Sequence, residues 1–227
     1  MKPKYDYPAS RRSMVKGSRI YEVGDENLPS VTSILDATSD KSAIFAWQKR
    51  VGKEEANKVK KEAAGLGTAT HKLVENYLLE VEAKPNGNLV WQMAEKISKP
   101  LITNLQDNMD ECWGVECTLF YPGLYAGTSD LVGIYKGEPA IIDFKTSKKI
   151  KKREWVENYF LQGTAYALAH NKMFDTDIKN CYILMVDRDG NFKEFDISEE
   201  FESYADKWSK TVDKYYELNT IREELPF

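Results

Sequence analysis

The sequence is poor in the features that mark cross-linked, cluster-binding or membrane-spanning proteins. Its three cysteines, Cys112, Cys117 and Cys181, are scattered along 227 residues and form no disulfide framework, zinc ribbon or iron–sulfur pattern. No apolar run approaches the roughly 20 residues of a membrane span, and the N-terminus lacks the apolar segment of a secretory signal. We therefore expect a cytoplasmic, non-secreted protein with no iron–sulfur cluster and no membrane partner.

The sequence also lacks a surplus of positive charge. Lysine and arginine together number 32 against 36 acidic residues, which gives a formal net charge of −4. Any nucleic-acid binding must therefore rest on a local basic patch and not on the charge of the whole chain. The hydrophobic content of 42% and the aromatic content of 12% are sufficient for a packed core.

The length suits a single domain behind a short arm. We expect residues 1–19 to be a basic, mobile N-terminal arm and residues 20–227 to be one domain. Within that domain we expect an N-terminal helical part at 20–111, a core sheet and helix at 112–197, and a C-terminal helix at 198–227.

The order of the predicted elements indicates an α/β (α+β) fold with extra N-terminal helices. Helices are predicted to begin near residue 30, to span 42–64, 88–99, 100–110 and 154–170, and to begin again at Ser198; strands are predicted at 18–23, 113–121, 124–135, 140–146, 178–186 and 192–197. Gly65 and Gly67 are expected to separate the second helix from one that runs to about residue 80. Residues 85–87 are predicted as a loop.

The stretch at residues 141–146 (IIDFKT) combines an apolar run with two charged residues. It is predicted as a strand, so Asp143 and Lys145 share one side and Phe144 faces the other. Asp130 lies on the preceding strand, and a hairpin turn near Gly137 would bring the two aspartates together. Two charges in an otherwise apolar strand are costly unless they serve a function.

Paired carboxylates beside a lysine suit metal-dependent cleavage of a phosphodiester bond. Divalent cations activate water and neutralise the leaving oxygen; magnesium prefers oxygen ligands. Asp130, Asp143 and the Phe144 carbonyl would supply those oxygens, and Lys145 would orient water or stabilise charge in the transition state. The plain alternative for Asp143 and Lys145 is a surface ion pair.

Two further residues extend the predicted metal site. Glu116 interrupts a largely apolar strand expected beside that of Asp130, and would bind the metal directly or through water. His71, one of two histidines, lies on a helix and would offer a ring nitrogen to the metal. The alternatives are an edge-strand charge for Glu116 and a structural role for His71.

Other polar residues are candidates for nucleic-acid contact. They are Ser30 and Thr32 at a helix N-terminus, Gln162 and Tyr166 on the helix after Lys145, and the basic run of Lys148, Lys149, Lys151, Lys152 and Arg153. A helix N-terminus offers N–H groups to a phosphate, and a basic run would follow a phosphate backbone. The alternatives are a plain helix cap, helix–sheet packing and a solvated charged surface.

These pieces together resemble the PD-(D/E)xK nuclease superfamily and, within it, the RecB-like exonucleases. The matching residues, in the family's order, are Gly67 and His71 four residues apart, Glu116, residues 127–130 (GTSD), residues 142–146 (IDFKT), and Gln162 with Tyr166. They span residues 65–170. The opening at residues 28–32 (LPSVT) is also similar to the mitochondrial genome maintenance exonuclease branch and its phage relatives.

The resemblance implies a restriction-endonuclease-like core of order αβββαβ, a central mixed sheet flanked by helices. It implies one or two Mg²⁺ or Mn²⁺ ions, with His71, Asp130 and Asp143 as metal ligands, Lys145 as a catalytic residue, and Gln162 with Tyr166 as an accessory pair. It also implies DNA, as single strands or ends, as substrate. A helicase, polymerase or recombination protein would be a separate partner. The absence of a transit peptide favours a bacterial or phage source.

The sequence is also compatible with three alternatives to an exonuclease. The first is an endonuclease on the same core. The second is a nucleic-acid-binding module without catalysis. The third is a glycosidase that uses Glu116 and Asp130 as its carboxylate pair, although this would leave Lys145 and the basic run without a role.

Overall fold

The computed structural model describes residues 2–82 and 87–224, with side chains described up to residue 220. The described elements, in chain order, are β1 (Arg11–Val15), β2 (Ser18–Val23), β3 (Glu26–Pro29), α1 (Val31–Thr38), α2 (Ser42–Val51), α3 (Lys53–Leu78), α4 (Leu89–Asn108), β4 (Met109–Tyr121), β5 (Tyr125–Tyr135), β6 (Glu138–Ser147), α5 (Glu157–Phe174), β7 (Asn180–Asp187), β8 (Phe192–Asp196) and α6 (Phe201–Glu224). The predicted loop at 85–87 lies mostly outside the described residues.

A five-stranded mixed sheet in the order β4-β5-β6-β7-β8 forms the centre of the molecule. Strands β6 and β7 are parallel and are connected through α5, while the other neighbours are antiparallel. Helices cover both faces of the sheet. The prediction of an α+β fold with a mixed sheet flanked by helices, in the order helix, three strands, helix, strand, is therefore confirmed.

The alternation of side chains along β6 divides the core into two layers. Ile141 packs in the layer formed with α1, α5 and α6, whereas Ile142 and Phe144 pack in the layer formed with α3 and α4. Asp143 and Lys145 therefore face the α5 side, as a period of two requires. The separation of Phe144 from the two charged residues is confirmed.

The helix boundaries at two glycines differ from the prediction. Helix α3 runs without interruption through Gly65 and Gly67, and the break lies instead at Gly52, between α2 and α3. Gly52 has a φ of +87°, a conformation that glycine adopts without strain. Gly67 keeps helical geometry, and a Cβ there would lie 3.4 Å from Thr146 Oγ1, at the close end of ordinary van der Waals contact.

Other helix ends also differ from the prediction. The two helices expected around Pro100 are one helix, α4, with Pro100 inside it. Ser198 was expected to cap the last helix, but it lies in a 3-10 turn before α6, where its N–H donates to Asp196 Oδ1 at 2.8 Å. The side chain of Ser30 caps α1 by accepting from the Ser33 N–H at 2.9 Å.

Part of the segment 1–19, predicted as a mobile arm, is packed on the domain. Strand β1 belongs to a small sheet in the order β1-β2-β3, and the turn between β1 and β2 has positive φ at both Lys16 and Gly17. Tyr5 and Tyr7 contact Trp113, His170 and Phe174 through their rings. We call these five residues the N-terminal aromatic cluster. The prediction of a mobile arm rested on the charged residues of this segment. It did not consider the aromatic residues, which pack the segment against the domain.

The three cysteines have no disulfide partner in the described part of the chain, since Cys112, Cys117 and Cys181 are all free. Among the described residues, none of the helices is both long enough and apolar enough to cross a bilayer.

Candidate active site

The register of the sheet places three acidic residues in one row. In the pairing of β4 with β5, Glu116 stands opposite Asp130, because the positions on both sides of it pair in that alignment. Continuing the pairing of β5 with β6 by one residue places Asp130 opposite Asp143. The hairpin that aligns β5 and β6 turns at Lys136 and Gly137, both with positive φ. The predicted meeting of the two aspartates is thus explained by turn geometry.

His71 on α3 completes a cluster with two of these acids. One ligand atom each from His71, Glu116 and Asp130 lies within 4.8 Å of the others. His71 Nδ1 is 3.5 Å from Asp130 Oδ1, and Asp130 Oδ2 accepts a hydrogen bond from the backbone N–H of Phe144 at 2.8 Å. Oxygen and imidazole ligands are a donor set that suits a divalent cation.

Asp143, a predicted metal ligand, lies in the acidic row beside Asp130 and contacts Lys145. Its carboxylate is 2% exposed and forms an ion pair with Lys145 through Oδ2, which takes no hydrogen bond from any other described group. Lys145 Nζ also donates to Gln162 Oε1 at 3.3 Å, and Gln162 Nε2 donates to the Tyr166 hydroxyl at 3.3 Å. The site therefore contains a group of possible metal ligands, His71, Glu116 and Asp130, which we call the metal-type cluster. Beside it lies the ammonium of Lys145, which is held by polar groups.

Burial and mutual repulsion change the acidity of the clustered carboxyl groups. Burial, reinforced by the charge of Asp130, raises the pKa of Glu116 to about 7 and helps raise that of Asp143 to about 6. Burial also opposes ionisation of Asp130, but the positive charges of His71 and Lys145 outweigh it and lower the pKa of Asp130. Three carboxyl groups therefore stand beside two cationic groups, His71 and Lys145, and a bound cation would offset the repulsion among the carboxylates.

The two basic groups of the site respond in the opposite sense. Burial lowers the pKa of His71, yet the neighbouring Asp130 outweighs burial and raises that pKa to about 8. Burial likewise opposes the charge of Lys145, but Asp143 and Asp130 raise its pKa above the usual value. His71 must lose its proton to bind a metal, whereas Lys145 is held in the charged form.

Backbone geometry at the site is specialised at two positions. Glu116 has a φ of +49°, which is rare for a residue with a side chain. At Gly127, a Cβ atom would lie 2.6 Å from a ring carbon of Tyr166 and 2.8 Å from its hydroxyl. Gly127, three residues before Asp130, therefore leaves the space that the ring of Tyr166 on α5 occupies.

The residues predicted to contact nucleic acid are placed differently from one another. Ser30 is 2% exposed and its hydroxyl serves as the cap of α1, whereas Thr32 is exposed. Tyr166 is buried against the sheet. These placements agree with the plain alternatives for Ser30 and Tyr166, while Gln162 accepts a hydrogen bond from Lys145.

The basic run divides into free and engaged side chains. Lys148 and Lys149 are exposed, and Lys152 is 3.8 Å from Glu154. Lys151 donates to the Tyr159 hydroxyl at 2.7 Å; Arg153 pairs with Glu200 and donates to the Asp196 carbonyl at 3.0 Å. Lys148 and Lys149 are therefore the members best placed to meet a polyanion.

Two residues near the site were not predicted from the sequence. The ring of Tyr159 lies 4.9 Å from Lys145 Nζ, so it borders the ammonium. Arg12, on β1, lines a cleft of about 500 Å³ together with His71 and Glu116. Tyr159 lies one helical turn before Gln162, and this spacing could have predicted that both face Lys145. The position of Arg12 near the site depends instead on how the small sheet packs, which the sequence pattern does not give.

The chain is similar in sequence to one human protein of stated activity, and no family model matches it. It is 26% identical over 208 residues to the protein named mitochondrial genome maintenance exonuclease 1 from Homo sapiens, with 84% of this chain covered. The matched region corresponds to 58% of that relative's length. The match thus spans most of this chain and just over half of the relative.

Proposed function

We propose that this protein is a divalent-metal-dependent deoxyribonuclease that removes nucleotides from single-stranded DNA or from DNA ends. The observation that carries the proposal is the cluster of His71, Glu116 and Asp130 beside the buried pair of Asp143 and Lys145. The similar human protein is named an exonuclease, which supports the same class of reaction. The motif order also supports a RecB-like nuclease of the PD-(D/E)xK type.

In this proposal the acidic row and His71 would hold one or two Mg²⁺ or Mn²⁺ ions. When bound, the metal lowers the pKa of water and neutralises charge on the leaving oxygen. Asp130 and Glu116 offer carboxylate oxygens and His71 a ring nitrogen. Asp143 would join as a ligand through its buried carboxylate, and the Phe144 carbonyl stays a predicted ligand.

Lys145 has the clearest role among the protein's own groups. Its ammonium is held by Asp143, Gln162 and the face of Tyr159. A preorganised charge of this kind stabilises the negative charge that develops on the phosphoryl oxygens in the transition state. Gln162 and Tyr159 would fix its direction, so that the ammonium orients the attacking water or contacts the phosphate.

The choice of an exonuclease over an endonuclease rests on the N-terminal helices. Helix α2 has no buried residue, and Ile44 and Phe45 are more than half exposed. The first part of α3, before Gly65, buries only Ala56 among its described residues. We propose that these exposed helices form a wall beside the path of the strand. Rapid cleavage of covalently closed single-stranded circles would instead support the endonuclease alternative.

The decisive experiment is digestion of end-labelled linear single- and double-stranded DNA. Wild-type protein and Asp143→Ala are each incubated with magnesium, with manganese or with EDTA. We expect metal-dependent loss of label with wild-type protein only, and the product ladder gives the polarity. A shifted band without cleavage under every metal condition would contradict the enzyme and support a binding module.

A further inference from the structure

The orientation of Arg12 follows from the way that β1 pairs with β2. Arg12 is paired with Tyr21, and Arg11 is paired with Glu22. Directly paired residues of antiparallel strands share a face, whereas consecutive residues alternate. Arg12 and Tyr21 therefore point to one side of the small sheet, and Arg11 points to the other.

Tyr21 fixes that side toward the acidic row. It is 2% exposed, and its hydroxyl lies 3.0 Å from Thr128 Oγ1. Thr128 precedes Asp130 by two residues on β5, so both side chains lie on the same face of the main sheet. The buried Tyr21 thus anchors the face of β1 that carries Arg12 close to the acidic row.

Two clefts meet at Arg12. One, of about 500 Å³, is lined by Arg12 with His71, Glu116 and neighbouring residues of α3. The other, of about 470 Å³, is lined by Arg12 and Glu116 together with residues of the N-terminal segment. Because Arg12 and Glu116 line both clefts, the guanidinium stands at the edge of the metal-type cluster.

In the described part of the chain, the exposed guanidinium of Arg12 forms neither a hydrogen bond nor an ion pair. Its positive charge acts on Glu116, where it opposes the rise in the pKa of that carboxyl group. Lys72, which also lines the first cleft, is by contrast paired with Glu75 at 2.7 Å. Arg12 therefore offers its whole planar set of donors, which matches the oxygens of a phosphate.

We infer that Arg12 binds a phosphate of the nucleic-acid strand next to the one that is cleaved. The inference rests on the proposed function, because it takes the acidic row as the place of cleavage. Lys145 lies on β6 and Arg12 lies by β4, so the two cations flank the row from opposite sides. The strand would be held by Arg12 on the β4 side while Lys145 acts on the scissile phosphate.

The test compares Arg12→Ala with the matched control Arg11→Ala. Both remove one exposed positive charge from adjacent positions of β1, but from opposite faces. With single-stranded oligothymidylate as the probe, we expect Arg12→Ala to raise KM about tenfold with a smaller effect on kcat. The slope of log affinity against log salt should fall by about 0.7, the value for one lost contact with a single strand. Arg11→Ala should change KM less than twofold, as expected for a charge outside the site.

A second probe locates the contact on the strand. This probe is an oligothymidylate in which one uncharged methylphosphonate replaces the phosphate next to the scissile bond. Compared with the unmodified strand, it should bind wild-type protein about tenfold more weakly, whereas its affinity for Arg12→Ala should be nearly unchanged. Arg12→Lys should recover part of the affinity. Equal losses in Arg12→Ala and Arg11→Ala, or methylphosphonate losses independent of residue 12, would overturn the inference. If wild-type protein shows no metal-dependent cleavage, the proposed function fails first, and that outcome is visible before any variant is compared.

Discussion

The two histidines of this protein occupy regions of opposite character. His71 is 28% exposed in its side chain and lies among carboxylates, whereas His170 is fully buried in the N-terminal aromatic cluster. Their acidities diverge accordingly: the pKa of His71 is raised to about 8 through Asp130, and burial lowers that of His170 to about 4. The surroundings of His71 thus favour the protonated, charged form of the imidazole, whereas those of His170 favour the neutral form.

The difference separates two kinds of contribution to the molecule. Around His71, partly buried carboxylates are concentrated in one cluster, and such a cluster is typical of sites that act on a ligand. Around His170, polar atoms are used up internally: one ring nitrogen lies 3.2 Å from the Tyr7 hydroxyl and the other 2.8 Å from Thr176 Oγ1. We therefore expect changes near His71 to reduce activity and changes near His170 to reduce stability.

The largest effect is expected from Lys145→Ala. Losing the ammonium should lower kcat on single-stranded DNA by about 10³-fold, since it removes charge stabilisation in the transition state. The fold should persist, because Asp143, already prone to hold a proton, can become neutral when its partner is gone. Steady-state kinetics and thermal unfolding measure the two quantities. Activity within a few fold of wild type would remove Lys145 from the mechanism.

A smaller loss is expected from His71→Gln. The change removes one metal ligand from the cluster and should lower kcat/KM by about 10- to 100-fold, with partial recovery at high manganese concentration. Measuring rates across a series of metal concentrations tests this. A large drop in thermal stability with unchanged metal dependence would instead make His71 a structural residue like His170.

His170→Ala should act on stability instead of catalysis. It opens a cavity in the aromatic cluster and removes the ring nitrogens that contact the hydroxyls of Tyr7 and Thr176, at a cost of about 2–4 kcal/mol in the free energy of unfolding. Urea titration measures this cost. The rate per folded molecule should stay near that of wild type, and a loss of rate at full folding would contradict the division between the regions.

The smallest effect is expected on the pH dependence of stability between pH 6.5 and pH 4. His170 has a lower pKa when folded than the usual 6.5, so the unfolded chain binds the proton more readily. Its contribution to stability is therefore complete above pH 6.5 and declines as the pH falls toward 4, by about 2–3 kcal/mol. His170→Gln should show a shallower decline than wild type over this range in urea titrations. Parallel curves for the two proteins would show that His170 is not the group responsible.

The sequence predicted the sheet part of the site because local rules determine it. The period of two along β6 orients Asp143 and Lys145, and the turn at Lys136 and Gly137 sets the register that brings Asp130 alongside. These relations depend on residues close together in the chain. They leave little freedom once the strands are recognised.

Other parts of the structure depend on packing between distant segments. The approach of α3 to the acids was expected chiefly from the family resemblance, and it brings Gly67 of α3 close to Thr146 of β6. Arg12 was assigned to a mobile arm because its segment is short and basic, yet the buried Tyr21 holds the neighbouring strand in place. Contacts between segments that are distant in the chain produce no periodic pattern of residues, so the sequence alone does not predict them.

The packing of residues 4–10 along β4 has a consequence for how molecules of this protein behave toward one another. Strand β4 is at the edge of the main sheet, and an uncovered edge is a template for pairing with other chains. Here the Lys4 N–H donates to the Trp113 carbonyl at 2.9 Å, Tyr7 fills the space above Gly114, and Ser10 meets Thr118 at 2.7 Å. The N-terminal segment thus covers part of the β4 edge, and we expect a protein shortened by these residues to present an open edge to its neighbours.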